Sequence, residues 1–417
     1  MTVRRRAAAL AITAVLCAGA APAAVAAPSP SPSASAELPP GLYGTKDPTY
    51  DGVWRQSVAF LAQKIELVTP ATQSVDWLVG QQCADGSFTS YRDASAPCDD
   101  KTVADTNATA AAVQAMVELA VHREVVDKGV AWLKSVQNED GGWGYNPGSP
   151  SDANSTAVVI GALARAGVPL AAVTREGGGT PYTALQSFAL PCGGKDGGAF
   201  AYQPDKDGTL TANADATAAA VLGAMGKGMA AGTSNAVKAP SCAEGTDLTP
   251  EQSAQNGAYH LAGALAGSGH LELPPMPGAE DTEPQPDFGN TADAVVALAA
   301  SGHKDKAAGA VAYLEKNAQD WAEEGGPAAI AQLVLAAHAT GTDARDFGGV
   351  DLVRQLNATG PAPAATAVPS PTATAREPKD TSSDDGGLGV WWLIGIGLAF
   401  GAGIGFLLSG RRKNQQL

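Results

Sequence analysis

Basic side chains are scarce in this sequence. Its 27 Lys and Arg face 42 Asp and Glu. Six of the basic residues sit at the extreme ends, as Arg4, Arg5, Arg6, Arg411, Arg412 and Lys413. The chain between keeps 21 basic residues against all 42 acidic ones, a net charge of −21. Such a surface repels nucleic acid and anionic lipid headgroups, which sets both aside as partners. It also lacks the clustered Arg and Lys that a diphosphate would need. Histidine is rarer still: His122, His260, His270, His303 and His338 show no paired spacing with one another or with cysteine, so no zinc-ligand pattern appears. Asp205-Lys206-Asp207-Gly208 resembles a calcium loop but lacks its third acid and its final bidentate Glu. No metal or cofactor is expected. Aromatic residues are 6% of the chain and nearly absent from its Ala-rich stretches, so helices built from those stretches carry no lining of rings.

The two ends carry targeting information. Arg4 to Arg6, an apolar run and Ala24-Val25-Ala26 read as a signal peptide over 1–26. Cys17 follows Leu16, where a lipobox wants Gly or Ala, so it belongs to the apolar run. A short linker spans 27–44. A globular ectodomain spans 45–357, and a Pro/Ala/Ser/Thr-rich stalk that cannot bury enough surface to fold spans 358–387. Residues 388–409 carry no charge and are long enough to cross a bilayer. Arg411, Arg412 and Lys413 then make 410–417 a cytoplasmic tail by the positive-inside rule. The expected location is the cell membrane, single-pass, with the ectodomain outside. Gly397, Gly401 and Gly405 lie four apart on one face of the span, a register that permits a weak homodimer in lipid. Four cysteines remain in the ectodomain, Cys83, Cys98, Cys192 and Cys242, an even number that suggests two disulfides. Three pairings are possible; Cys83–Cys98 and Cys192–Cys242 are favoured because each pair flanks one loop.

Between the ends two phrases alternate. One is amphipathic, as in "KGVAWLKSVQNEDGGWGY" from Lys128, with weaker copies from Ser74, Gly309 and Gly349. The other is a polar cluster leading into an apolar Ala-rich run: "DTNATAAAVQAM" from Asp105, "DANSTAVVIGAL" from Asp152, "NADATAAAVLGAM" from Asn213 and, fainter, "DFGNTADAVVAL" from Asp287. The spacing predicts six buried inner helices near 54–66, 107–121, 155–167, 215–229, 291–302 and 327–341. Six amphipathic outer ones follow near 72–82, 126–137, 181–189, 250–266, 304–318 and 345–357. The fold class is all-α, an (α/α)6 toroid plus a C-terminal transmembrane helix. Alternating pairs close into a ring, which hides the end faces an open solenoid must cap.

Lys128-Gly129, Trp132-Leu133, Gln137 and Gly141-Gly142-Trp143 together resemble the QW repeat of squalene and hopene cyclases. The alternation resembles the wider α/α-toroid group that includes protein prenyltransferase β subunits and, more distantly, cobalamin carriers. The resemblance implies that Trp132, Gln137, Gly141, Gly142 and Trp143 are a structural staple. The residues suit that role: an amide for free helix-end carbonyls, glycines for a sharp turn and a ring to stack on the next helix pair. The Asp-x-Asp-Asp motif with which such cyclases protonate their substrate is missing, and so are the transferases' zinc ligands; no catalytic residue is assigned, and the sequence leans away from an enzyme.

The expected function is a surface-displayed, non-catalytic ligand-binding or scaffold module that captures a small polar ligand such as a corrinoid. The alternatives are a diverged exported enzyme of the terpenoid cyclase type and a structural spacer. The expected site is a ring of acceptors at the rim where inner helices begin: Asp105, Asn107, Asp152, Asn154, Asn213, Asp215 and Asp287. Each cluster also caps its helix; the surplus over one cap per helix points to the cavity mouth. The unit starting at Gly325 has no acid or Thr there, leaving a gap for entry. Asn107 and Asn154 spell glycosylation sequons, which their repeated place at helix starts explains better. The Pro-rich acidic loop 271–287 reads as a disordered insertion or a partner-binding lip, and His338 as a core residue or a cavity-facing one.

Overall fold

The structure is a computed structural model that describes residues 38–93, 95–175, 178–245, 247–273 and 284–364. The expected signal peptide, most of the expected stalk, the expected membrane span with its glycine face, and the expected tail lie outside the described residues. Among those described, no helix is long and apolar enough to cross a membrane.

Thirteen α-helices, one turn of 3-10 helix at Leu170–Ala172 and one antiparallel pair of two-residue strands make up the described fold. Six helices are lined almost throughout by buried small residues: α1 (Gly52–Ile65), α3 (Thr106–Leu119), α5 (Ala153–Arg165), α7 (Ala214–Ala224), α9 (Phe288–Ala300) and α12 (Pro327–Thr340). Each packs on the next, and α12 packs back on α1, so the six close a cycle. Outside them lie α2 (Thr72–Gly80), α4 (Arg123–Ser135), α6 (Pro181–Gln186), α8 (Pro250–Leu265), α10 (Lys304–Asn317) and α13 (Leu352–Ala358). Most of these six bridge two successive inner helices, as α4 does α3 and α5, and α13 does α12 and α1.

Two features depart from the expected alternation. A short extra helix, α11 (Gln319–Gly325), stands between α10 and α12 and packs on both, with Trp321 against Phe288. The fold also begins before residue 45. Tyr43 is fully buried, donates its backbone amide to the Gln56 side chain at 2.9 Å and packs edge-on to Phe60, and Gly44 N–H reaches Thr359 O at 2.8 Å. That last bond ties the two ends of the folded part together. Cys83–Cys98 and Cys192–Cys242 are both disulfide-bonded, each with Cα atoms 5.7 Å apart, as favoured above.

One device starts four of the inner helices. Asp105, Asp152, Asn213 and Asp287 are the N-caps of α3, α5, α7 and α9; they accept hydrogen bonds from the amides of Ala108, Ser155, Ala216 and Asn290 at 2.8, 2.7, 2.8 and 3.0 Å. Four residues further on stands a fully buried Thr: Thr109, Thr156, Thr217 or Thr291. Each Thr hydroxyl accepts the backbone amide of a loop residue, respectively Phe88, Trp143, Phe200 and Leu271, at 2.9 to 3.1 Å. In the first three repeats that same loop residue takes the amide of the cap residue on its own carbonyl, at 2.8 to 3.0 Å. The polar cluster that opens each repeat is thus a latch between one helix pair and the next.

The glycine turn before the latch supplies the rest. Gln137, buried at the end of α4, donates to Gly141 O at 2.8 Å and Val173 O at 3.2 Å, and Gln82 does the same one repeat earlier, to Gly86 O and Val125 O. Trp143 is 1% exposed, and its indole N–H caps Leu133 O in the last turn of α4 at 2.7 Å. Gly141 has φ +91°, and a Cβ there would lie 2.4 Å from Thr180 O. Gly141→Ala is therefore expected to destabilise the fold by more than the roughly 1 kcal/mol that the same change gains where the backbone permits it, read as a lowered urea midpoint.

Candidate ligand cavity

Because all six inner helices pack as a ring, their inward columns enclose a hollow of about 390 Å³. The first turns supply its polar wall. Asn107, Asn154 and Asp215 occupy the second helical position of α3, α5 and α7, two residues past each cap, and all three line the cavity. Below them the wall is apolar: Val58, Ala108, Ala157, Val158, Ala218, Leu222, Val296 and Leu335. Tyr50, Trp54 and Tyr145 also join the lining.

The loop after α7 adds Lys227, Gly228 and Met229 to the wall and is clamped to the C-terminal ends of its neighbours. Gln114 donates to Val158 O at 3.2 Å and accepts the Met229 amide at 2.9 Å, while Lys227 Nζ donates to Ala300 O at 2.7 Å and to Ser234 Oγ at 2.5 Å. A second hollow, of about 380 Å³, shares Gln114, Lys227 and Gly228 with the first and is lined also by Glu118, Arg165 and His338. His338 lines this second hollow and is absent from the lining of the first.

The expected rim residues separate into two groups. Asp152, Asn213 and Asp287 act as caps and are absent from the cavity lining. Asp152 is fully buried, taking both Ser155 N–H and Ser155 Oγ–H. Asp105 caps α3 through Oδ1, accepts Ser90 Oγ–H on Oδ2 at 2.9 Å and also lines the cavity. Asn107, Asn154 and Asp215 are the side chains left over from the caps. The asparagines of the two sequons therefore sit two residues past the cap, in the cavity wall. Asp205 turns back on its own loop, accepting from the amides of Asp207 and Thr209 at 2.9 and 2.8 Å.

The sequence reading missed Asp293 and Gln332, which face one another across α9 and α12; Gln332 Nε2 donates to Asp293 Oδ2 at 3.1 Å. Asp293 is mostly buried and lines the cavity. Desolvation, then the charge of Asp215, pushes its pKa up to about 7, against the lowering effect of the Gln332 bond. The Asp215 carboxyl is raised too, chiefly by burial, although it accepts from Asn154 Nδ2. Burial pulls the Lys227 ammonium below its ordinary value. The signal for Asp293 and Gln332 was in the sequence: "ADAVVALAA" and "PAAIAQLVLAA" each hold one polar side chain in an otherwise apolar stretch, a place where such groups need a partner. Tyr50 and Tyr145 left no signal, because they reach the cavity from loops.

A helix ring closed around a hollow that is polar at its helix starts and apolar along its walls can take up a small molecule. No family model matches the chain. Over 100 residues it is 35% identical to the drimenyl diphosphate synthase of Streptomyces showdoensis, a match covering 22% of this chain and 17% of that protein. Among solved structures, a sugar epimerase from a ruminal bacterium aligns with a TM-score of 0.47 at 11% identity, covering 73% of this chain and 93% of that one. A protein from Actinoplanes aligns at 0.31 and 16%, covering 68% and 100%. The chain's match to the curated synthase spans well under two thirds of that relative's length.

Proposed function

We propose that the chain is an exported, membrane-anchored (α/α)6 toroid of the terpenoid-cyclase type that captures a small ligand in its central cavity without transforming it. The observation that carries this is the 390 Å³ hollow, with a polar first layer left over from helix capping and an apolar wall beneath it. The closed cycle of inner helices and the QW staple support the fold type; the two disulfides support export, since such bonds persist in oxidising compartments. A corrinoid is larger than the enclosed volume and would sit across the mouth rather than inside. A thermal-shift screen of the full-length protein with corrinoids, polyprenols, glycans and divalent cations tests the proposal. A ligand at about a hundred times its dissociation constant adds about 2.7 kcal/mol of stability. Stabilisation by one class that is lost in Asn154→Leu is the expected result; no stabilisation by any class overturns it.

One observation favours a second reading, an enzyme that protonates its substrate. A carboxyl with a pKa near 7 in an apolar hollow has the profile of a general acid, and the partial likeness to a drimenyl diphosphate synthase points the same way. Against it stand the carboxyls at the helix starts, which repel a diphosphate, and a single basic lining residue, Lys227, already bonded to Ala300 O and Ser234 Oγ. Turnover of a linear prenyl diphosphate by the wild type but not by Asp293→Asn would establish this reading instead.

A further inference from the structure

Resting on the ligand-capture reading above, we propose that the occupant of the cavity is an organic cation, a protonated amine or quaternary ammonium carried on an apolar body of modest size. The wall holds acceptors without matching donors. Asp215 and Asp293 each receive one side-chain amide, from Asn154 and Gln332, although an ionised carboxylate has room for several donors. Asn107 Oδ1 and Asn154 Oδ1 are shut off from solvent and accept no hydrogen bond at all. Buried acceptors and carboxyls left in that state are costly, and the cost is recovered only when a donor or counter-charge arrives.

The described residues do not supply that charge. Among them, Lys227 is the one basic residue in the lining, and its ammonium is spent on Ala300 O and Ser234 Oγ. Arg55 is held by another lining carboxylate, Asp51, at 2.5 Å. The aromatic rings of the lining, Tyr50, Trp54 and Tyr145, present faces that attract a cation and repel an anion. The apolar wall gives a hydrocarbon body a place that a sugar, polar on all sides, would waste.

The groups that set the protonation of Asp293 are Asp215 on α7, Asp287 at the start of α9 and Gln332 on α12. A cation bound beside Asp293 draws it into the carboxylate form and releases its proton. Affinity then rises with pH through about 7, where a neutral ligand would show no such slope.

The test compares three probes with one apolar body, 4-phenylbutylammonium, 4-phenylbutanol and 4-phenylbutanoate, by calorimetry on the full-length protein. The ammonium is expected to bind about tenfold tighter than the alcohol, with the carboxylate weakest, and its observed binding enthalpy to vary linearly with buffer ionisation enthalpy, the slope giving the protons released. Asp293→Asn, folded by circular dichroism, is expected to lose most of that preference and the proton release. Asp305→Asn, an exposed carboxyl on α10, is expected to keep both. If the alcohol binds as tightly as the ammonium, the cavity takes ligands but the cation assignment is overturned. If none of the three binds, the cation assignment is overturned, and the thermal-shift screen above decides the capture reading separately. Retention of the preference in Asp293→Asn also overturns the assignment.

Discussion

Trp143→Ala is expected to destabilise the protein by about 3 to 5 kcal/mol, the range for truncating a fully buried large aromatic. Two losses add. The ring is 1% exposed and belongs to the continuous core, so its removal opens a void between repeats. Its indole also caps Leu133 O at 2.7 Å, and that carbonyl, near the end of α4, has no replacement donor. The backbone bond from Trp143 N–H to Thr156 Oγ1 survives the substitution, so the latch itself persists while its packing fails. Trp143→Phe separates the two losses: it keeps most of the volume and loses only the cap, and is expected to cost about 1 to 2 kcal/mol. A urea midpoint unmoved by Trp143→Ala would show that the staple carries no load.

Asp293→Asn is expected to stabilise the protein above neutral pH and to do little near pH 4. The Asp293 pKa is raised in the fold to about 7, well above its unfolded value near 4. Between those two values the folded state holds a proton that the unfolded state has released. Stability therefore falls as pH rises across that window and levels off above about 7. At about 1.4 kcal/mol per unit the full loss over these roughly three pH units is on the order of 4 kcal/mol. Asparagine keeps the shape and still accepts from Gln332, but carries no charge to desolvate. Asp152 and Asp215, also raised, contribute in the same direction, whereas His260 and His303, lowered by burial, contribute in the opposite one below about pH 6.5. The difference between wild type and Asp293→Asn isolates the one carboxyl. Parallel stability–pH curves for the two proteins would show that Asp293 ionises normally.

Legibility in the sequence followed how local each signal was. Helix starts were legible at Asp105, Asp152, Asn213 and Asp287 because a cap is made by a side chain and an amide three residues on. The turn after α4 was legible because Gln137, Gly141 and Trp143 act within a few residues of one another. The short helix α11 was missed, since seven residues with one buried position carry too little periodicity to register. Which rim residues face the hollow was legible only in part. The composition of each cluster showed a surplus over capping, but which member is surplus depends on the rotation of the helix against its neighbours.

By itself the sequence determined the alternation of small-residue inner and amphipathic outer helices, their caps and the glycine turn, because period, propensity and hydrogen bonding within a turn are properties of short segments. Only the tertiary structure decided the site. Asp215 and Asp293 lie far apart in the chain and act on one another because α7 and α9 pack side by side. Tyr50, Tyr145 and Lys227 enter the same hollow from three separate loops. A pKa near 7 for a carboxyl comes from what is excluded around it, and exclusion of water is settled only when the ring closes.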